Sequence, residues 1–189
     1  QQTNSAYKYL TVFSNFLRSL LNFAEKNFIP LDEEIKILQM YTELESLRFD
    51  KSFTWEVTAE EGLSFEEVMV PSLMVQPLAE NAIWHGLLHK EGDKKLTIHF
   101  SGSPDDYIRC TVEDNGIGRK QAAAIKQKNI NSRMRESKGI SIIAERLKLL
   151  QEKTGKPAFV EITDLYDASG EPAGTRAVIS IPYYNPEVL

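Results

Sequence analysis

No other part of this chain restricts its fold as much as Pro71-Ser-Leu-Met-Val-Gln-Pro-Leu-Ala-Glu-Asn-Ala-Ile-Trp-His-Gly86. Leu73, Leu78 and Ile83 are placed so that a helix covers a core with them. Pro77 deletes a backbone donor and so belongs in a first turn, which sets the start of the regular helix near Gln76 and its end near Leu88. Asn81 interrupts the apolar run. It is expected at the rim of a pocket, where a carboxamide oxygen suits a hard, oxygen-seeking cation such as Mg²⁺.

Two later segments belong with it. Val112-Glu-Asp-Asn-Gly-Ile-Gly118 sets an acid at the end of an apolar run, followed by two spaced glycines. Gly174-Thr-Arg-Ala-Val-Ile-Ser-Ile-Pro182 leads a glycine and a threonine into a strand. Alone, Asp114-Asn-Gly reads as a hairpin turn, and Asn81 as a capping or core-satisfying amide. In this order and spacing, the three blocks resemble the N, G1 and terminal G boxes of the GHKL ATP-binding fold. That fold is shared by histidine kinases, the B subunit of DNA gyrase, heat-shock chaperone ATPases and mismatch-repair ATPases. Within it, Gln76-Pro-Leu-Ala-Glu-Asn-Ala-Ile-Trp-His-Gly86 is similar to the LytS-type sensor histidine kinases. Tyr9-Leu-Thr-Val-Phe-Ser-Asn-Phe-Leu-Arg18, Ile29-Pro-Leu-Asp-Glu-Glu34 and Tyr41-Thr-Glu-Leu-Glu-Ser-Leu-Arg-Phe49 are similar to the segment that follows the phosphoacceptor helix in that family, so the likeness covers nearly the whole chain.

The resemblance implies an α/β (α+β) two-layer sandwich of the GHKL, or Bergerat, type: a mixed sheet covered by helices on one face and preceded by two helices. It divides the chain into a helical, dimerising segment over residues 1–50 and an ATP-binding catalytic domain over residues 51–189. The family's phosphoacceptor histidine stands in a Pro-His-Phe-x-Phe-Asn motif just upstream of a segment like residues 6–18. The three histidines here are His85, His89 and His99. The acceptor is therefore expected upstream of Gln1, in a longer sensor.

Composition fits this frame. A chain of 189 residues with 42% hydrophobic and 26% charged residues is ordinary for one globular domain plus a helical appendage. A net charge of −5 gives no electrostatic reason to expect nucleic acid as a partner. Cys110 is the one cysteine, set in the strand-like Tyr107-Ile-Arg-Cys-Thr-Val112, and is expected to be a buried, inert thiol. No apolar run is long enough to cross a bilayer, so no membrane contact is expected of this part.

Along the chain, Leu10, Phe13, Leu17, Leu20 and Leu21 predict a helix over residues 5–23. Pro30 breaks it, and Leu31-Asp-Glu-Glu34 opens a second helix with acids in its first turn, ending near Phe49. Phe53-Thr-Trp-Glu-Val57 reads as a strand. Residues 95–100 and 107–113 read as a hairpin, 119–128 as a short helix, and Gly139 as the start of an apolar helix through Ile140, Ile143, Leu147 and Leu150. Phe159-Val-Glu-Ile-Thr163 and Arg176 to Ile181 close the domain as strands around a loop running from Asp167 to Gly174.

Each candidate site residue takes its role from the resemblance together with its chemistry. Asp114 accepts a hydrogen bond from the exocyclic amine of adenine, which discriminates against bases lacking that donor. Gly116 and Gly118 let the backbone approach the nucleotide. Thr175 joins Asp114, through water, around the adenine. Asn81 is the Mg²⁺ ligand, and one protein ligand suffices because magnesium keeps waters and bridges phosphates. His85, one turn later, is a candidate catalytic residue on the phosphate side, with structural packing as its alternative; Trp84 is expected to pack. Glu80 is the candidate acid/base group. GHKL hydrolases commonly carry a glutamate one turn before the Mg²⁺ asparagine. Pro77 stands there instead and cannot activate water, which favours phosphoryl transfer over fast hydrolysis. Residues 119–138 take the place of the ATP lid, where Arg133, Arg135 or Lys138 neutralises phosphate charge. Gly139 offers free N–H groups to phosphate at a helix N-terminus, although Ser141 replaces the family's second glycine.

The expected function is that of a sensor histidine kinase's catalytic region. It binds ATP and Mg²⁺ and passes the γ-phosphoryl group to an upstream histidine, for relay to an aspartate of a response regulator. The implied protein is a homodimer joined through the N-terminal helices, and this part is the cytoplasmic portion of a bacterial cytoplasmic-membrane sensor. Two alternatives stay open: a non-catalytic nucleotide-binding or interaction module, and a GHKL-type ATPase.

Overall fold

Alternation of side chains decides the sheet. Along Lys95–Ser103 (β4), Tyr107–Asp114 (β5) and Pro172–Pro182 (β7), every second residue is apolar and buried: Leu96, Ile98 and Phe100; Ile108, Cys110 and Val112; Ala177, Ile179 and Ile181. A strand sends successive side chains to opposite faces, so these residues make one apolar face. The computed structural model, which describes residues 2–23, 25–61, 67–103, 107–127 and 133–184, places the three strands in a five-stranded sheet. Its edges are Thr54–Ala59 (β2) and Phe159–Tyr166 (β6), in the order β2-β4-β5-β7-β6. β2 runs parallel to β4 and the remaining pairs are antiparallel, so the sheet is mixed.

Helices cover that face. Leu78 and Ile83 of the Asn81 helix, Ile143, Leu147 and Leu150 of Arg133–Thr154 (α5), and Ile37 and Leu38 of Leu31–Arg48 (α2) share one core with the strand residues. The α+β, GHKL-type layering expected from the sequence is the fold observed. Gln2–Phe23 (α1) packs on α2 through Phe16, whose ring lies 6.1 Å from that of Tyr41. Phe28–Pro30 (β1) and Met69–Pro71 (β3) form a small antiparallel sheet that the sequence does not announce.

Two elements depart from the sequence reading. The Asn81 helix is α-helical only over Gln76–Asn81 (α3) and continues over Ala82–Leu87 as a π-helical turn, with Leu88 N–H bonded to the Ile83 carbonyl at 3.0 Å. The Gly86 carbonyl is drawn out sideways to accept Ile117 N–H at 3.3 Å, and such wide turns recur at functional sites. The helix expected to start at Gly139 starts at Arg133, so Gly139 is interior. Arg, Met, Glu and Lys carry Arg133–Lys138 by helix propensity, which leaves no apolar period to read. Gly118–Gln127 (α4) lies close to its expected position, and residues 128–132 of the expected lid lie outside the described residues.

Candidate functional site

A cavity of about 250 Å³ opens between the Asn81 helix and the sheet. The helix contributes Leu78, Asn81, Ala82 and His85; the sheet contributes Val112, Asp114, Thr175 and Ala177; Gly118, Arg119 and Ala122 close it from α4. An apolar slot with few convergent polar groups is the usual form of a small-molecule site.

Strand register makes the polar floor. Asp114 ends β5 and stands opposite Thr175 of β7, so carboxylate and hydroxyl meet across the ladder. The Thr175 hydroxyl donates to Asp114 Oδ2. Asp114 Oδ1 accepts Gly116 N–H at 2.7 Å. The side chain is buried. Burial pushes its pKa up, while the Thr175 hydroxyl and the amides of Gly116 and Thr175 pull it back. Each oxygen has two lone pairs, so the carboxylate retains capacity for a further donor from the cavity. The arrangement suits a flat, largely apolar ring with an outward N–H.

Absent side chains hold this floor together. A Cβ on Gly86 would lie 2.6 Å from Asp114 Oδ1, and one on Gly116 would overlap the Gly86 backbone. Gly174 has φ of 133°, and a Cβ there would overlap the Asp114 carbonyl. At Gly118, φ is 73° and a Cβ would meet Pro172 Cβ at 3.0 Å. Helix, turn and strand thus converge on Asp114 because three glycines let their backbones approach it.

Asn81, His85, Asp114, Gly118 and Thr175, five of the residues singled out in the sequence, line the one cavity, with Gly116 directly behind it. Glu80 is exposed and off the cavity wall; its charge acts on Tyr41 and Glu45, on the side of the helix facing α2. Gly139 lies beside the start of α3, its added Cβ 3.6 Å from Pro77 Cβ, and not at a helix N-terminus. Lys138, Arg133 and Arg135 lie on the first turns of α5, and their side chains fall outside the described residues. Gly86 and Arg119 were given no site role in the sequence, and Gly174 was singled out there only as the glycine before Thr175. A glycine within a helical pattern was the available signal for Gly86. Arg119 gave none: its pairing with Asp164 of β6, at 2.7 and 2.8 Å, joins residues far apart in the chain.

Residues 1–53 match the family model described as Histidine kinase. Among curated proteins, the chain is 33% identical to the sensor protein LytS of Staphylococcus haemolyticus over 61% of its length and 19% of the relative's. It is 28% identical to LytS of Oceanobacillus iheyensis over 80% of its length and 28% of the relative's. The chain is related to the LytS-type sensor histidine kinases. It spans 19% and 28% of those two LytS proteins' length. The histidine kinase domain of the Erythrobacter litoralis EL346 blue-light activated kinase superposes with a TM-score of 0.53, at 19% identity, over 96% of this chain and 81% of that one. The fold is therefore that of the histidine-kinase catalytic domains. Among the described residues, no helix is long and apolar enough to cross a membrane, and no group of three or more His, Cys, Asp or Glu side chains is placed to hold a metal.

Proposed function

We propose that this chain is the ATP-binding catalytic region of a LytS-type sensor histidine kinase, and that the cavity over Asp114 is its adenine pocket. The observation that carries this reading is the Asp114 floor. A buried carboxylate, braced by Thr175 and approached by three glycine backbones, faces an apolar slot. Asp114 takes the adenine amine, Gly118 and Ala122 face the ring, and Asn81 and His85 mark the phosphate side. Asn81, at the cavity wall, would hold Mg²⁺ through its carboxamide oxygen, a hard donor of the kind that ion takes. When bound, the ion supplies neutralisation of phosphate charge.

In this reading Asn81, His85 and a cation of the Arg133–Lys138 stretch orient the γ-phosphoryl group toward a histidine upstream of Gln1, and positioning with charge neutralisation carries the chemistry. Glu80, beside Asn81 but outside the cavity, is left to act on the incoming imidazole. The phosphoryl group then passes to an aspartate of a response regulator. The helical segment 1–50 pairs with a second copy. Tyr7, Leu10, Leu17 and Leu21 support this, since they lie exposed along one face of α1 while Phe16 and Leu20 pack inward.

Calorimetric titration with ATP and Mg²⁺, beside Asp114→Asn, tests the pocket. Binding that disappears in the variant is the expected result; equal binding by both proteins sinks the assignment. With the upstream histidine segment restored, radiolabelled ATP should label that histidine. ATP binding without labelling would instead favour the non-catalytic module.

A further inference from the structure

The helix that carries Asn81 is capped from another part of the chain. Val75 stands at its N-cap and caps nothing with its own side chain. Leu73 takes a left-handed φ of 56° and Val75 a right-handed φ of −87°. Across that change of hand the successive amides of Leu73, Met74 and Val75 face a common point, a concavity of N–H groups of the kind that binds anions. The group that fills it is the Glu34 side chain of α2. Its Oε2 accepts Leu73 N–H at 2.8 Å and its Oε1 accepts Val75 N–H at 3.1 Å. The carboxylate is 2% exposed, and the charge of Arg146 on α5 acts on it. Burial pushes its pKa up, and the three amides pull it down.

The same α2 helix holds the far side of Asn81. The Arg48 guanidinium lies 4.8 Å over the Trp84 ring, and the Phe49 ring meets Trp84 edge-on at 5.3 Å. Asn81 sits between the two contacts. The adenine-side group, Asp114, is instead held by strand register against Thr175 and by close glycine backbones, among them Gly86 at the end of the Asn81 helix far from the Glu34 contact.

We propose that Glu34 is a positioning residue for the phosphate side of the site, fixing the start of the Asn81 helix by filling the Leu73–Val75 amide concavity. The inference rests on the nucleotide reading above. Only a carboxylate serves both amides, because glutamine has one acceptor oxygen and its NH₂ would face the second N–H.

The test compares the unaltered chain with Glu34→Gln, each titrated with ATP in Mg²⁺ and with ATP in EDTA. The variant should lose about tenfold in Mg-ATP affinity, the scale of a lost supporting group at a metal site, with metal-free ATP binding left close to that of the unaltered chain. In a Trp55→Phe background, Trp84 emission should shift in the variant. A loss of equal size with and without Mg²⁺, or no loss, overturns the proposal. An unaltered chain that binds no ATP, or binds it without regard to Mg²⁺, sinks the nucleotide reading instead. Should Glu34→Gln fail to fold, hydrogen exchange on the unaltered chain decides. The Leu73 and Val75 amides should be slowed more by Mg-ATP than by metal-free ATP, and equal protection overturns the proposal.

Discussion

Gly86 presses its backbone against Asp114 so closely that a Cβ on it would lie 2.6 Å from Oδ1 and 3.0 Å from Cγ. The contact joins the helix bearing Asn81 and His85 to the strand end bearing Asp114. Gly86→Ala must push one away from the other. Overpacking of a tight site costs about 1–3 kcal/mol, and here the displaced group is the pocket floor. ATP affinity should fall by more than the loss of stability explains, measured by calorimetry beside a urea melt. Full affinity in the variant would show that the approach is incidental.

Gly174→Ala should be harsher. Its φ of 133° disfavours any side chain, and the added Cβ would overlap the Asp114 carbonyl rather than a movable side chain. The expected outcome is loss of cooperative unfolding or a Tm lowered well beyond that of Gly86→Ala; equal Tm values would contradict this.

Acidification should move stability and binding in opposite directions. Glu34 and Glu45 titrate ordinarily near 4.5 and Asp114 near 3.8, and burial raises all three in the folded chain. Between those values and the raised ones, the folded state binds more protons than the unfolded, so stability grows as pH falls and is lost as pH rises through the folded values. Asp164 and Asp167 have lowered values, so their contribution stays constant above 3.8 and fades only below it. Tm should therefore rise as the pH falls through the raised values of these three carboxyls. Over the same interval adenosine, which carries no phosphate to titrate, should bind more weakly as Asp114 takes up a proton. A Tm that falls on mild acidification would refute the assignment of these carboxylates.

Glu45 provides a separate test. Its Oε2 is buried with no hydrogen-bond partner among the described residues, and Arg48, 3.6 Å from Oε1, is its counter-ion. Removing the charge with Glu45→Gln should leave stability equal or higher at pH 8, the gain vanishing as the pH is lowered and the native carboxyl is protonated. Arg48→Ala should destabilise by about 1–3 kcal/mol, because it strips the counter-ion and the cation–π contact with Trp84 together. Urea melts of both variants across pH decide the matter.

Hydrolysis should be slow. Pro77 occupies the turn before Asn81 and carries no group to activate water. Phosphate release by the isolated chain at many turnovers per minute would overturn this and favour the ATPase reading.

The sequence made the polar centre legible because its residues are chemically conspicuous. Asn81 on an apolar helix, Asp114 before two glycines and Thr175 after a glycine each break a pattern, and the three line one cavity. Periodicity also set α2, β4, β5 and β7 within a few residues, since burial of one face writes itself into the chain. The start of α5 was hidden because Arg133–Lys138 has helix propensity without an apolar stripe. The roles of Gly86 and Gly174 were hidden because a glycine's purpose depends on what approaches it, here Asp114. Glu34 read as a first-turn acid favouring its own helix dipole. Only the packing of α2 against the Leu73–Val75 turn makes it the cap of a different helix. Sequence by itself determined which groups this protein has to offer and on which faces they lie, because burial and backbone propensity are local. Tertiary structure decided which of them meet, because contacts between residues tens of positions apart depend on register and close backbone approach.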